Sequence, residues 1–282
     1  MKSHLPRKEI LFIIPLTIFF TIIVFIPFIR IIAGSLLVSE TKTLGLQNYV
    51  KLITTGAIVR SIKNSFLLSL WSTLIAGTIG FFFAYAISKR RERWRNLLVT
   101  INTLPLTISA VVTAYGFLVV FGDSGLVNGF LMYFLNSHIS RFFNLLSIGG
   151  LIFVYQFFQI PLMTIIVASA TSSMDPHIEE AARSVGANKI QIMFKIVIPH
   201  LLPAIIAGLS LLFINAFGAY ATAFALVEAN MNLVTLKIVS QFSDIGYDPG
   251  LANALSLLVV GVATGFVVLY RVSLNRIERP AK

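Results

Sequence analysis

Long apolar runs separated by short polar segments set the pattern of this chain. Six runs, at roughly residues 10–32, 64–88, 97–121, 147–171, 200–226 and 251–270, are long enough to cross a hydrocarbon layer. A helix needs about 20 apolar residues for that crossing. None of the six has an Asp, Glu, Lys or Arg in its central part. The pattern predicts an all-α fold, a polytopic membrane helix bundle with six transmembrane helices in a single domain over residues 1–282. The first run, Ile10 to Ile29, exceeds the apolar part of a secretory leader and is followed by further spans, so it reads as a retained helix. Pro15 and Pro27 inside it are bends that a membrane helix tolerates.

The connections differ in character. Residues 33–63 hold two short amphipathic pieces suited to the membrane interface. The segment "GDSGLVNGFLMYFLNSHISRFFN" reads as partly helical after an Asp123-Ser124-Gly125 turn, either lining the mouth of a pathway or capping the bundle. The connection at 171–199 is polar and has the marks of two helices. Asp175 is placed as N-cap and Pro176 at the first helical position, while Glu179 and Glu180 lie in the favourable field of the N-terminal dipole. Ile178, Ala181, Ala182 and Val185 share one side. Gly186 can take the positive φ that ends the helix. Asn188 and Gln191 then have the spacing of a capping box, and Pro199 and Pro203 mark the return to the membrane. Small alanines beside a glutamate let a partner's backbone come close and offer it a charge. That suits a docked protein better than a lipid headgroup layer, because the first helix starts acidic and has little bulky apolar surface to insert.

Composition fixes the setting. Hydrophobic residues make up 57% and charged residues 12%, and the mean hydropathy is +0.88, outside the soluble range. The net charge of +11 raises nucleic acid as a partner, but the placement of the charges is explained by a bilayer. The two ends and alternate connections carry fifteen Lys and Arg, five of them in "KRRERWR" at 89–95, against seven on the opposite side (Arg30, Lys42, Lys51, Arg60, Lys63, Arg141 and Lys237). This bias predicts both termini in the cytoplasm. A secondary carrier coupled to an ion gradient would want ionisable groups within the spans and an inverted repeat, and neither is found. The absence of cysteine excludes disulfides, thiolate metal sites and a cysteine nucleophile. No G-x-x-x-x-G-K-[ST] phosphate loop occurs, so ATP is not bound by that route. The neutral polar residues Tyr115, Gln156, Gln159, Asn215, Tyr220 and Thr222 are the candidates for a solute pathway. Interhelical hydrogen bonds worth about 0.6 kcal/mol each are the alternative reading for any one of them. Ala76, Gly77, Gly80, Gly149, Gly150, Gly261 and Gly265 read as sites of close helix approach.

The stretch "EAARSVGANKIQIMFKIVIP" resembles the EAA loop of the permease subunits of bacterial binding-protein-dependent ABC importers: Glu-Ala-Ala, three residues, Gly, nine residues, then Ile-x-Leu-Pro. Glu180, Ala181, Ala182, Gly186, Ile196 and Pro199 match, and Ile198 departs from the usual leucine. "TLPLTISAVVTAYGFLVVFGDSGLVN" and "NAFGAYATAFALVEANMNLVTLKI" resemble the third-span and fifth-span regions of the branch serving spermidine/putrescine, 2-aminoethylphosphonate, thiamine and ferric iron. The resemblance implies a type I importer permease fold in the bacterial inner membrane. It implies a coupling role for Glu179, Glu180, Ala181, Ala182, Gly186, Ile196 and Pro199, with Glu180 on the ATPase surface and the alanines inside its cleft. The implied partners are two ATP-binding subunits carrying ATP and Mg, an extracytoplasmic solute-binding protein, and a second permease that is either a companion chain or a second copy. This chain would hold no cofactor, metal or catalytic residue of its own. A polyamine-type solute or an aminophosphonate is favoured, with ferric iron, thiamine or an ion-coupled carrier as alternatives.

Overall fold

A computed structural model describes residues 7–39, 42–135, 143–227, 231–243 and 247–277. Lys2, Arg141, Arg279 and Lys282 of the charge pattern, and residues 136–142 of the third connection, lie outside them. The described residues form thirteen α-helices. In order these are α1 (Arg7–Leu36), α2 (Gln47–Thr54), α3 (Gly56–Ser88), α4 (Glu92–Thr103), α5 (Ala110–Phe121), α6 (Leu126–Leu135) and α7 (Ile148–Ser172). They continue with α8 (Pro176–Ser184), α9 (Lys189–Ile192), α10 (Ile198–Gly218), α11 (Ala221–Val227), α12 (Val234–Ser240) and α13 (Pro249–Ile277). Among the described residues six stretches are long and apolar enough to span a membrane: Pro15–Leu36, Gly56–Ser88, Ala110–Phe134, Ile148–Ser172, Lys189–Gly218 and Pro249–Ser273.

Two expected spans are interrupted. The run at 97–121 divides into α4 and α5 because Pro105, which has no N–H to donate, sits in a 3₁₀ turn at Leu104–Thr107 that ends with Ile108 extended at ψ 137°. The run at 200–226 divides where α10 stops and Ala219 turns extended at ψ 125°; the Thr235 hydroxyl donates to the Ala219 carbonyl at 3.0 Å. Of the two amphipathic pieces expected in 33–63, one is α2, and the other is the first turns of α3, continuous with the second span. The segment after Asp123-Ser124-Gly125 is helical, as α6.

The chain forms two compact units, Met1–Val59 with Lys237–Val260 and Arg60–Leu236 with Gly261–Lys282. In the first, α1 exposes every side chain from Pro15 to Arg30, as an apolar helix does in lipid. The turn after α1 is fixed to α2, whose Asn48 donates to the carbonyls of Ser35 and Leu37, each at 2.9 Å. Asp248 ties this turn to the start of α13. It accepts from the Ser39 hydroxyl at 2.6 Å, Lys51 Nζ at 3.0 Å and the Leu251 N–H at 3.1 Å.

In the second unit α7 runs through two apolar cores. Its first half contributes Leu151, Val154 and Tyr155 to a core shared with α5 and α11, and its second half contributes Met163 and Val167 to one shared with α3 and α10. Gly80 allows the α3–α7 approach, since a Cβ there would stand 2.7 Å from Met163 Cβ and 3.0 Å from the Ile160 carbonyl oxygen. Gly77 and Gly208 face side chains equally closely, which agrees with packing at Gly77, whereas Gly261 and Gly265 have nothing within 4 Å.

The Asp248 clasp makes a pH prediction. Burial pushes its carboxyl up, but the Ser39 hydroxyl, the Leu251 N–H and Lys51 outweigh burial and leave it below the ordinary 3.8. Its stabilisation is therefore fully present above pH 3.8 and is lost as pH falls through the lower folded value. Asp248→Asn is expected to cost about 2 kcal/mol at neutral pH, with the gap to wild type closing below pH 3.8. Thermal unfolding of the detergent-solubilised protein across that range checks this; a gap independent of pH would refute it.

Candidate functional site

The 171–199 connection folds as its local chemistry directs. The Asp175 side chain accepts the His177 N–H at 2.9 Å and so caps α8. The helix ends in a Schellman arrangement: the Gly186 N–H donates to the Arg183 carbonyl at 3.0 Å and the Ala187 N–H to the Ala182 carbonyl at 3.1 Å, with Gly186 at φ +85°. Asn188 and Gln191 exchange bonds of 2.8 and 2.9 Å in a capping box that starts α9. From there Met193–Val197 widen into a π segment, closed by the Ile198 N–H on the Met193 carbonyl, before α10 begins with Pro199 in its first turn. A π segment is less regular than the helices it joins, and such joints recur at moving parts.

The faces of α8 have different roles. Glu180, whose side chain is 71% exposed, Ala181, Ile178 and Val185 point outward. Ala182 instead packs against the core that α7 shares with α3 and α10, so it does not share the open side of α8 with Ala181 as the alanine stripe suggested. Gly186 and Ile196 come together around a depression of about 340 Å³ that Gln191 and Lys195 also line, while Pro199 is exposed.

Glu179 is buried, at 4% exposed. One carboxylate oxygen accepts from Lys89 Nζ; the other accepts from the Tyr85 hydroxyl at 3.3 Å and lies 3.9 Å from Arg183 Nη2. The Lys89 ammonium also stands 4.9 Å from the Tyr85 ring centroid. Lys89 and Tyr85 are functional candidates that the sequence reading missed. The available signal was helical phase: at 100° per residue Glu179 falls on the Ala182 side, away from Ala181.

A second site lies where the two interrupted spans meet. A cavity of about 370 Å³ is lined by Leu106, Ile108 and Ala110 beside one break, and by Ala219, Tyr220, Ala221 and Thr222 beside the other. Tyr155, Phe158, Gln159 and Asn215 complete the wall. Four of the six polar candidates, Gln159, Asn215, Tyr220 and Thr222, are thus brought to one place. The other two are not. Tyr115 faces a different cavity beside Leu118 and Leu146, and Gln156 donates to the carbonyls of Ile152 and Ser72 at 2.8 and 3.3 Å.

Within the wall the roles separate by hydrogen bonding. Gln159 accepts from the Ser72 hydroxyl at 2.9 Å and donates to the Leu212 carbonyl at 3.2 Å, so its amide is occupied in joining α3, α7 and α10. Asn215 is exposed, and no hydrogen bond to its side chain is found among the described residues. Tyr220 stacks on Phe224 at 5.2 Å. Tyr155, 4% exposed, has a hydroxyl with no partner among the described residues. Tyr155 and Phe158 were not anticipated, because only the breaks in the spans turn the cavity toward them.

The family model for binding-protein-dependent transport system inner membrane components matches residues 76–279. The spermidine/putrescine transport system permease protein PotB of Haemophilus influenzae is 31% identical over 265 residues, 90% of each chain. The sulfate transport system permease protein CysT of Salmonella typhimurium is 25% identical over 252 residues, 88% of each chain. Among solved structures, a chain of the bacterial alginate ABC transporter in complex with an alginate pentasaccharide-bound periplasmic protein has a TM-score of 0.77 at 21% identity, covering 98% of this chain and 97% of that one. The fold is that of ABC importer permeases.

The Gly186 turn is testable on its own. Gly186→Val places a β-branched residue at φ +85°, a left-handed conformation that costs about 1–2 kcal/mol. Trypsin is expected to cut the purified variant at Arg183 and Lys189 roughly tenfold faster, through the larger open population. Unchanged cleavage would remove the case for a strained turn.

Proposed function

Because the chain belongs to the family of binding-protein-dependent transport system inner membrane components, we propose that it forms half of the pathway of an ATP-driven importer and takes up the motor's stroke on the α8–Gly186–α9 piece. The observation that carries this is the outward face of α8. A helix closed by its own cap and turn presents Glu180, Ala181 and Val185 without covering them. An exposed valine and alanine beside a carboxylate suit a protein cleft with a basic rim. The distribution of Lys and Arg supports placing this piece and both termini in the cytoplasm. The partners on this reading are two ATPase subunits carrying ATP and Mg, a second permease and an extracytoplasmic solute-binding protein. ATP closure of the ATPases rocks the spans so that the pathway opens alternately to each side.

The solute we propose is a polyamine. Relatives named for spermidine and putrescine support that class, and so does the cavity's wall. Tyr155, Phe158 and Tyr220 line it with aromatic rings, which attract an ammonium group, and Asn215 adds an amide. Neutral groups suit a transit site, which must bind weakly enough to release; a buried carboxylate would hold a polycation firmly.

Glu180→Lys and Val185→Glu are each expected to lower the ATPase recovered with the detergent-purified complex by about tenfold or more, and uptake in proportion. Wild-type recovery in both variants would sink the docking assignment. Asn215→Leu is expected to lower spermidine uptake several-fold with ATPase recovery intact, whereas Tyr155→Phe should leave thermal stability unchanged, because the hydroxyl it removes has no partner among the described residues. Titration of the cognate binding protein with spermidine, putrescine and sulfate decides the solute class, and tight binding of sulfate alone would overturn it.

A further inference from the structure

Of the charged groups in the 171–199 connection, only Glu179 is buried. α8 is joined by the chain to α7 on one side and, through α9, to α10 on the other, but it has no covalent link to α3. Two direct routes run from α8 toward α3: Ala182, with Ala187 just beyond the end of α8, packs on the core that α3 shares with α7 and α10, and Glu179 bonds to Tyr85 and Lys89. Methyl-sized packing slides at little cost, whereas a charge-assisted hydrogen bond holds both distance and direction.

We infer that Lys89 and Glu179 form a strut that carries the displacement of the docked α8 into α3. This rests on the importer reading given above. The attachment has two points, Tyr85 on the last turn of α3 and Lys89 one residue past its end, so it fixes the orientation of α8 as well as its separation from α3. Arg183, one turn along α8, steadies the carboxylate from its own helix. A cavity of about 570 Å³, bordered by Lys89, Glu179, Arg95, Thr171 and Asp175, lies beside the strut. On that flank the strut, and not close packing, spans the space between the helices. α3 in turn carries Ser72, whose hydroxyl holds Gln159 in the wall of the pathway cavity. One rigid helix therefore connects the strut to the place where solute would pass. Glu179 and Lys89 are positioning residues on this account, and neither touches solute or nucleotide.

The test is the ratio of solute transported to ATP hydrolysed by the full complex, with its ATPases, companion permease and binding protein, in proteoliposomes. Glu179→Gln and Lys89→Met are each expected to keep the ATPase in the purified complex and keep it hydrolysing, while solute moved per ATP falls about tenfold. The double variant should be no worse than either single one, because both remove the same link. Lys89→Arg, which keeps charge and reach, should stay within about threefold of wild type. If hydrolysis and transport fall together, or the ratio is unchanged in both single variants, the pair is structural and the strut is overturned. If the wild-type chain itself recovers no ATPase, the importer reading fails first, and the strut with it.

Discussion

Backbone hydrogen bonding in a medium without water is the constraint on which the rest of this structure depends. An unpaired peptide group in hydrocarbon costs several kcal/mol, so a span can be interrupted only where protein or a water-filled cavity meets the freed groups. Two of the long apolar runs are interrupted, at 104–109 and at 219–220, and both breaks border the same cavity. One freed carbonyl, that of Ala219, is met by Thr235. The irregular backbone and the candidate pathway are thus one feature: the breaks are tolerated because the cavity is there, and the cavity is there because the helices stop.

Against this apolar background a few polar links do work that apolar packing cannot. Gln159 joins α3, α7 and α10 between two cores, and Glu179 joins α8 to Tyr85 of α3 and to Lys89 just past its end. In lipid, apolar faces gain little by preferring one another to the surrounding chains, so directional bonds and close contacts such as that at Gly80 define which helices are held together. The fold is shared with relatives named for polyamine and for sulfate, and with a structure named for alginate. The architecture by itself therefore does not fix a solute.

Much of the chain was legible from its order of residues. Four of the six membrane-crossing stretches, the Asp175 cap, the Gly186 turn and the Asn188–Gln191 box are found in the structure where the sequence places them, each fixed by residues close together in the chain. Hydropathy alone ran 97–121 and 200–226 as unbroken spans, because a proline or a turn within a greasy run does not change the average. The apolar pattern of α8 likewise grouped Ala182 with Ala181, although the two lie on opposite sides of the line between packed and open surface.

By itself, then, the sequence determined what acts over short range: which segments prefer lipid, where helices start and stop in the polar connection, and which motif marks the family. Only tertiary structure decided which of two neighbouring glutamates is buried, that Lys89 reaches it across 90 positions, and that four of six polar candidates share one cavity while Tyr115 and Gln156 do not. The physical reason is that capping and hydropathy are summed along the chain, whereas burial, pairing and cavities arise from the crossing of helices far apart in it.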